Sequence, residues 1–122
     1  AALGLLATHF VGDPGNVEAV TMLSIQAAER GDWNGAAIFA DHALANGGDR
    51  DPVILSLRAE IAIRNGDIEL GTALAERAYY IQPLNRDAAF ALAIAYRKLP
   101  GGEARANELE VKVNRLPQYR RP

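Results

Sequence analysis

The stretch RGDWNGAA, residues 30–37, decides how this chain folds, together with its counterpart NGDIELGTA, residues 65–73. Each stretch contains a Gly-Asp pair and an apolar residue, and a small residue stands three positions beyond the apolar one. Glycine readily adopts the left-handed backbone conformation that ends a helix, and aspartate commonly caps the helix that follows. Both stretches therefore predict a tight turn between two closely packed helices.

The Gly-Asp turns belong to a repeat that runs along the chain. Gly31 and Gly66 are 35 residues apart, and at that offset small residues align with small ones and apolar residues with apolar ones. A weaker third copy starts near Arg86 and has LPGG, residues 99–102, where the Gly-Asp turn would fall. A period in the mid-thirties is typical of an all-α solenoid built from helix pairs. Three loop-forming stretches follow nearly the same interval: GDPGN (12–16), GGDRD (47–51) and IQPLN (81–85).

The first complete unit carries two stripes of small and apolar residues at helical spacing, one on each side of Gly31. The stripe residues are Val17, Val20, Leu23, Ser24 and Ala27, followed by Trp33, Ala36, Ala37, Ala40, Ala43 and Leu44. Asp32 and Asp67 are predicted to cap the second helices of their units. Asp51, followed by Pro52, gives the same signal for the first helix of the second unit. We expect the recurring small residues to let the paired helices approach closely.

The pattern resembles the tetratricopeptide repeat, whose signature is W-x2-L-G-x2-Y, then A-x3-F, then P. The resemblance covers about residues 14–116. It implies an all-α, right-handed superhelix (a solenoid) of antiparallel helix pairs, as in a bacterial-type tetratricopeptide scaffold. The residues that match best are Ala89, Leu92, Ala93 and Tyr96 in the third unit, Ala78 to Pro83 in the second, and Leu23, Ser24, Ala36 and Ala43 in the first. Three positions depart from the signature: Gly48, Arg58 and Gly71 stand where Pro, Leu and Ala are usual.

The repeat divides the chain into about three units and an N-terminal half-unit, all in a single domain covering residues 1–122. The half-unit cannot bury both of its faces alone, so side chains such as Leu5 are expected to be exposed. Either the chain was cut from a longer array, or this helix packs on a second copy to form a homo-oligomer. The parts are a half-repeat helix at 1–12, repeat 1 at 16–48, repeat 2 at 51–83, repeat 3 with its capping helix at 86–116, and a tail at 117–122.

Composition excludes several classes of protein. Apolar residues make up 49% of the chain, which is ordinary for a folded, soluble domain. The formal charge of −2 gives no electrostatic basis for binding nucleic acid. The longest apolar stretch, AALGLLATHFVG (1–12), is too short to span a bilayer, so no membrane insertion is expected. The chain has no cysteine, which excludes disulfides but does not distinguish a cytoplasmic from a periplasmic location.

Catalytic, metal-binding and cofactor-binding motifs are not found in the sequence. His9 and His42 are the only histidines, and neither has a partner at metal-ligand spacing. Asp41 is adjacent to His42, but neighbouring helical residues point in different directions and cannot form a proton relay. The Gly-Gly pairs at 47–48 and 101–102 lack the Lys and the Ser or Thr of a phosphate loop. We therefore expect a non-catalytic protein that uses no metal or cofactor.

The resemblance also implies a binding surface, because in tetratricopeptide repeats the first helix of each pair lines a concave groove that binds peptides or helices. The corresponding residues in this chain are Glu18, Thr21, Ile25, Val53, Ser56, Glu60, Asp87, Phe90, Ile94 and Arg97. Four of them are apolar and would form one trough, three are acidic and favour a ligand with Lys or Arg, and Arg97 offers one positive end. One subclass clamps C-terminal carboxylates of chaperones with Lys, Asn and Arg, and this face lacks those residues. Thr21, Ile25, Leu57, Asp87 and Ala91 stand at the clamp positions instead.

Two functions remain open from the sequence. The first is a non-catalytic scaffold that binds a protein or peptide in the groove, and the sequence does not identify that partner. The second is a structural or oligomerisation segment of a larger polypeptide, including one with a separate catalytic domain. A neighbouring catalytic domain in the same full-length chain would favour the structural role.

Overall fold

The computed structural model describes residues 17–115, and this part of the chain is helical without any strand. The all-α prediction is therefore confirmed. The predicted half-repeat helix at 1–12 with Leu5, its proposed contact with a second copy, and the tail at 117–122 lie outside the described residues. The helices are α1 Val17–Glu29, α2 Trp33–Ala45, α3 Pro52–Arg64, α4 Ile68–Ile81, α5 Arg86–Lys98 and α6 Glu103–Arg115, with a short 3-10 helix at Gly48–Arg50. Within residues 17–115, no helix is both long enough and apolar enough to cross a membrane.

The two Gly-Asp turns have the same structure, as the repeat predicts. Gly31 and Gly66 have φ angles of +79° and +86°, a region in which glycine is favoured because it has no Cβ. Asp32 then caps α2, its carboxylate accepting a hydrogen bond of 3.0 Å from the backbone N–H of Gly35. Asp67 caps α4 in the same way, at 3.3 Å from the N–H of Leu70. The local sequence is thus sufficient to end one helix and start the next.

The helices α3 and α5 also begin at side-chain caps. Asp51 accepts a 2.9 Å hydrogen bond from the N–H of Val53, and Pro52 occupies the first turn, where its missing N–H costs nothing. Asn85 caps α5 by accepting a 3.1 Å hydrogen bond from the N–H of Ala88. The Asp51 cap is the predicted one, whereas the sequence reasoning did not single out Asn85.

Helices that follow one another in the chain pack together, and α3 also contacts α5 directly. In the α3–α4 pair, Gly71 at the start of α4 lies against Ile63 at the end of α3. In the α4–α5 pair, the Tyr96 hydroxyl near the end of α5 donates a 2.9 Å hydrogen bond to Glu76 in the middle of α4. Three residues join α3 to α4 and four join α4 to α5, and packed helices with such short connections are antiparallel, so α3 and α5 run in the same direction.

The core lies between the helices in two clusters and consists largely of small residues. Ala36, Ala40 and Ala43 of α2 and Ala75 and Ala78 of α4 are completely buried. Small side chains at these positions let the helix backbones approach closely, as the sequence predicts. The first cluster contains Val20, Leu23, Ala27, Ala36, Phe39, Ala40, Ala43, Ile54 and Ile61, and the second contains Leu55, Ala59, Leu74, Ala75, Ala78, Ala88, Ala91, Leu92, Ala93 and Leu109.

The three departures from the repeat signature each have a local explanation. A Cβ at position 71 would lie 2.6 Å from Cγ1 of Ile63, so the neighbouring isoleucine takes the space of the usual alanine methyl group. A Cβ at position 48 would lie 2.7 Å from the carbonyl oxygen of Ala43, which favours glycine there. Arg58 is matched by Asp41 on α2, with 2.7 Å between its Nε and the carboxylate oxygen.

Candidate binding groove

An open groove of about 610 Å³ lies along α3 and α5, with one side chain contributed by α1. Because α3 and α5 run in the same direction, one end of the groove is formed by their amino termini and the other by their carboxyl termini. The lining residues are Ile25, Val53, Ser56, Leu57, Glu60, Ile63, Arg64, Asn85, Asp87, Phe90, Ala91, Ile94 and Lys98.

Seven of the ten predicted site residues line this groove: Ile25, Val53, Ser56, Glu60, Asp87, Phe90 and Ile94. The structure places the other three elsewhere. Glu18 is exposed on α1, and Thr21 is buried with its hydroxyl donating a 2.9 Å hydrogen bond to the carbonyl of Val17. Arg97 is directed toward α6, where it forms a 2.6 Å ion pair with Glu110 and a 3.2 Å hydrogen bond with Asn107.

The groove also contains residues outside the ten predicted ones. Leu57 and Ala91, which the sequence placed at clamp positions of this face, are 34 residues apart, and so are Arg64 and Lys98. Once Arg64 is assigned to the groove, this 34-residue offset identifies Lys98. The cation at the carboxyl end of α5 is therefore Lys98, not Arg97, because adjacent helical residues point about 100° apart.

The centre of the groove is apolar and uncovered. Phe90 is 55% exposed and Val53 is 50% exposed, although both are large apolar side chains. Ile25 and Ile94 are half-buried beside them. Isolated apolar residues are common on protein surfaces, but several that line one concave groove are typical of a binding site.

Ser56 lies in the groove lining and is buried, with only 8% of its surface exposed. Among residues 17–115 its hydroxyl is the one buried side-chain oxygen or nitrogen without a hydrogen-bond partner. The buried threonines behave differently: the hydroxyl of Thr72 donates to the carbonyl of Ile68 at 2.7 Å, one turn earlier in its helix. An unpaired buried hydroxyl is costly, so the beginning of α3 carries a local destabilisation at the groove.

The charges of the groove are distributed unevenly between its two ends. Glu60 and Arg64 form an ion pair of 3.5 Å, and the guanidinium of Arg64 also lies 4.3 Å from the centre of the Trp33 ring. Asp87 at the amino end and Lys98 at the carboxyl end take part in no ion pair within the described part of the chain. The groove therefore has one negative charge outside any described ion pair at one end and one such positive charge at the other.

A second hollow of about 580 Å³ lies between α4, α5 and α6 and is lined by Tyr79, Tyr80 and Tyr96 among others. The Tyr96 hydroxyl donates to Glu76 there, and the guanidinium of Arg105 lies 5.8 Å from the Tyr96 ring centre. Burial raises the pKa of Tyr96 above 10.0, and the hydrogen bond to the Glu76 carboxylate raises it further.

The hydroxyl of Ser56 has no hydrogen-bond partner among the described residues, and those residues hold no cluster of three His, Cys, Asp or Glu side chains that could bind a metal ion. What the first groove offers is an apolar centre between two opposite charges. Comparison with known proteins adds no assignment, since no protein family and no curated protein matches the chain.

Proposed function

We propose that this chain is a non-catalytic protein-interaction module of the tetratricopeptide type, in which helix pairs form a right-handed superhelix. Its ligand is a peptide segment of another protein, which binds in the groove between α3 and α5. The observation that carries the proposal is the uncovered apolar centre, where Phe90 and Val53 are half exposed within one concave surface. Such a surface gains free energy when a partner removes it from water.

The repeat assignment is supported by the turns and by their spacing. The Gly31–Asp32 and Gly66–Asp67 turns share the same glycine conformation and the same capping geometry, 35 residues apart. The direct contact between α3 and α5 supports the assignment as well, since contacts between equivalent helices of neighbouring units are what a solenoid uses to form a continuous binding surface.

Within the groove, Phe90 is the proposed anchor and Glu60 a steering charge. Truncation of an aromatic anchor at the centre of an interface costs about 2 kcal/mol or more of binding free energy, since it removes most of the contact area. A charge at the edge of a binding surface affects the association rate and its salt dependence more than the affinity. Glu60 is half exposed and already paired with Arg64, so we expect this kinetic role for it.

A pull-down with the wild-type protein and its Phe90→Ala and Glu60→Lys variants tests the proposal, followed by titration of the captured partner. We expect Phe90→Ala to weaken binding about thirtyfold or more. Glu60→Lys is expected to slow association and to change its salt dependence. Ile38→Ala is the matched control, because Ile38 is 68% exposed and lines neither hollow. If both groove variants bind as the wild type does, this groove is not the binding site.

A structural role in a larger polypeptide is the second candidate, and exposed apolar residues outside the groove favour it. Tyr80 and Leu84, near the α4–α5 connection, are both highly exposed. In the structural role they would contact another domain or a second copy. Sedimentation of the wild-type protein and of Leu84→Glu tests the structural role. A wild-type dimer that dissociates in Leu84→Glu would support it. A monomer in both cases leaves no support for association through this patch.

A further inference from the structure

We infer that a second copy of this chain docks on the second hollow, between α4, α5 and α6, and that the two copies form a symmetric dimer. In that dimer Tyr80 of each copy meets the hollow of the other. The inference rests on the structural role, the second candidate function, and adds the partner, the surface and the contacts. It is independent of peptide binding in the groove between α3 and α5.

The second hollow brings together tyrosines that the repeat itself does not require. Tyr79, Tyr80 and Tyr96 line it, and residues 17–115 contain no other tyrosine. The first two of these have Leu44 and Ala45 at the equivalent positions of the first unit, 35 residues earlier. Helix packing at this point therefore does not call for a tyrosine pair. Aromatic side chains, tyrosine among them, are enriched at the centres of protein–protein interfaces.

The same face carries both a projecting side chain and a depression. Tyr80 stands at the edge of the second hollow and is 87% exposed, so the described chain leaves its ring almost uncovered. Leu84, which follows Pro83 of the lining, is 75% exposed. In a two-fold symmetric dimer one patch must fit a copy of itself, which requires a projection and a depression on the same patch.

The charges of the second hollow are balanced, which favours a copy of the same surface over a strongly charged partner. The lining contains two acids and two bases, which are Glu76, Glu108, Arg105 and Lys112. Glu76 accepts the hydrogen bond of Tyr96, and the guanidinium of Arg105 lies 5.8 Å from the centre of the Tyr96 ring. Glu108 and Lys112 are exposed and take part in no ion pair within residues 17–115. One charge of each sign is thus available for a partner.

The spacing of these two charges indicates how the copies are related. Glu108 and Lys112 are four residues apart on α6, so they lie on one side of that helix. A two-fold axis that crosses α6 midway between them, at Glu110, makes the α6 helices of the two copies antiparallel. Glu108 of each copy then lies opposite Lys112 of the other, and the two attractions occur in one interface.

The same axis carries Tyr80 to the second hollow of the other copy. Four residues join α4 to α5 and four join α5 to α6, so α4 and α6 run in the same direction. Both follow a glycine of positive φ, Gly66 or Gly101, and these are 35 residues apart. Tyr80 is therefore level with residue 115, five residues beyond the axis, and Arg105 lies five residues before it. The axis thus places Tyr80 opposite the end of the hollow that contains Arg105, and a guanidinium and an aromatic ring attract each other.

Analytical ultracentrifugation of the wild-type protein and its Tyr80→Ala variant tests the dimer. We expect the wild type to dimerise, and Tyr80→Ala to raise the dissociation constant of the dimer about thirtyfold or more, because an aromatic anchor is lost at two places. The variant should fold as the wild type does, since Tyr80 is so exposed. Ile38→Ala is the matched control: Ile38 is 68% exposed and lines neither hollow, so its truncation should leave the constant unchanged.

Charge exchange on α6 tests the antiparallel arrangement. Glu108→Lys and Lys112→Glu should each raise the dissociation constant about three- to tenfold at low salt, because like charges then meet. The double variant should recover the wild-type constant, since opposite charges meet again. Glu69→Lys and Lys98→Glu make the same single changes outside the second hollow and should have no effect. A double variant that dimerises no better than the single variants would overturn this arrangement.

The outcomes separate this inference from both candidate functions. A wild type that stays monomeric at about 1 mM would overturn the inference and leave peptide binding in the groove untouched. A dimer that Leu84→Glu dissociates but Tyr80→Ala does not weaken would support the structural role and overturn the docking of Tyr80. A dimer that is lost in Phe90→Ala alone would place self-association in the groove. A monomeric protein whose captured partner is lost in Tyr80→Ala would assign the second hollow to a different protein, which also overturns the inference.

Discussion

The hydroxyl of Ser24 on α1 donates a 2.7 Å hydrogen bond to the backbone carbonyl of Ala36 on α2, in the fully buried interface of the first helix pair. The helices can approach this closely because Ala36 has only a methyl side chain. Ser56 is also buried, but its hydroxyl has no partner in the described part of the chain. Two serines of similar burial therefore have opposite effects on folding.

We predict that Ser24→Ala and Ser56→Ala change the free energy of unfolding in opposite directions. Ser24→Ala removes a buried hydrogen bond and should destabilise the protein by about 1 kcal/mol. Ser56→Ala removes an unpaired buried hydroxyl and introduces a better helix former, so it should be neutral or stabilise by about 0.5–1 kcal/mol. Urea unfolding of the two variants measures both free energies. Equal destabilisation by the two substitutions would show that the Ser24 hydrogen bond adds no stability beyond that of an unpaired serine hydroxyl.

A second prediction concerns the packing of Gly71 against Ile63. Replacing a helical glycine by alanine usually stabilises by about 1 kcal/mol. Here the new methyl group would lie 2.6 Å from Ile63 Cγ1 and 3.1 Å from the Ala59 carbonyl oxygen. We therefore expect Gly71→Ala to destabilise by about 1 kcal/mol, since a close-packed interface has no room for it.

The same substitution in an Ile63→Ala background supplies the control, because the nearest clashing atom is then gone. In that background we expect Gly71→Ala to be at least about 1 kcal/mol more favourable than in the wild type, a coupling that a double-mutant cycle measures. Additive effects of the two substitutions would mean that the α3–α4 interface adjusts freely at this point.

The third prediction compares two ion pairs that differ in burial. Arg58 is 14% exposed and lies 2.7 Å from Asp41, whereas Arg77 and Asp49 are both more than half exposed and 3.9 Å apart. Asp41→Asn should destabilise by about 0.5–1 kcal/mol, because it leaves a largely buried guanidinium without its counter-charge. Asp49→Asn should change stability by less than about 0.3 kcal/mol.

Arg58→Leu, which restores the residue usual in the repeat signature, completes this comparison. In the Arg58→Leu protein, Asp41→Asn should no longer matter, since there is no charge left to compensate. Chemical denaturation of the four variants decides the point. A cost of Asp41→Asn that persists in the Arg58→Leu background would show that Asp41 acts through something other than this ion pair.

The fourth prediction concerns alkaline pH and Tyr96. Burial and the Glu76 carboxylate raise the pKa of Tyr96 in the folded protein above its value of 10.0 in an unfolded chain. The folded state thus holds the phenolic proton more tightly, and the stabilisation is complete below pH 10.0 and lost as the pH rises through the folded pKa. Tyr96→Phe should therefore show a smaller loss of stability above that pH than the wild type does.

Glu76→Gln distinguishes the two causes of the shift. It removes the negative charge and leaves the burial of Tyr96, so it should reduce this alkaline loss of stability without abolishing it. Urea unfolding across the alkaline range measures the loss in all three proteins. If Tyr96→Phe has the same pH profile as the wild type, other groups cause the alkaline destabilisation.

The sequence by itself determined the helices and their turns. Gly31, Asp32, Gly66 and Asp67 act through backbone conformation and through caps within a few residues, so their effect can be read without knowing which helices touch. The repeat offset also predicted most of the groove lining. Once positions of one groove helix are assigned, the offset gives the equivalent positions of the next groove helix. These features are local or periodic, and a linear sequence expresses both kinds directly.

The tertiary structure alone decided which charges the groove presents. Whether Lys98 or Arg97 faces the groove depends on how α5 is rotated against α3 and α6, and one residue changes the direction by about 100°. The pairing of Arg58 with an acid 17 residues away on another helix likewise depends on the distances between packed helices. Glu60 and Arg64, by contrast, form an i, i+4 pair within α3, which the sequence can indicate. Local propensities set the helix boundaries, but the rotation and spacing of the helices come from the packing of their whole surfaces. For that reason the apolar trough was predictable, and which cation of α5 faces it was not.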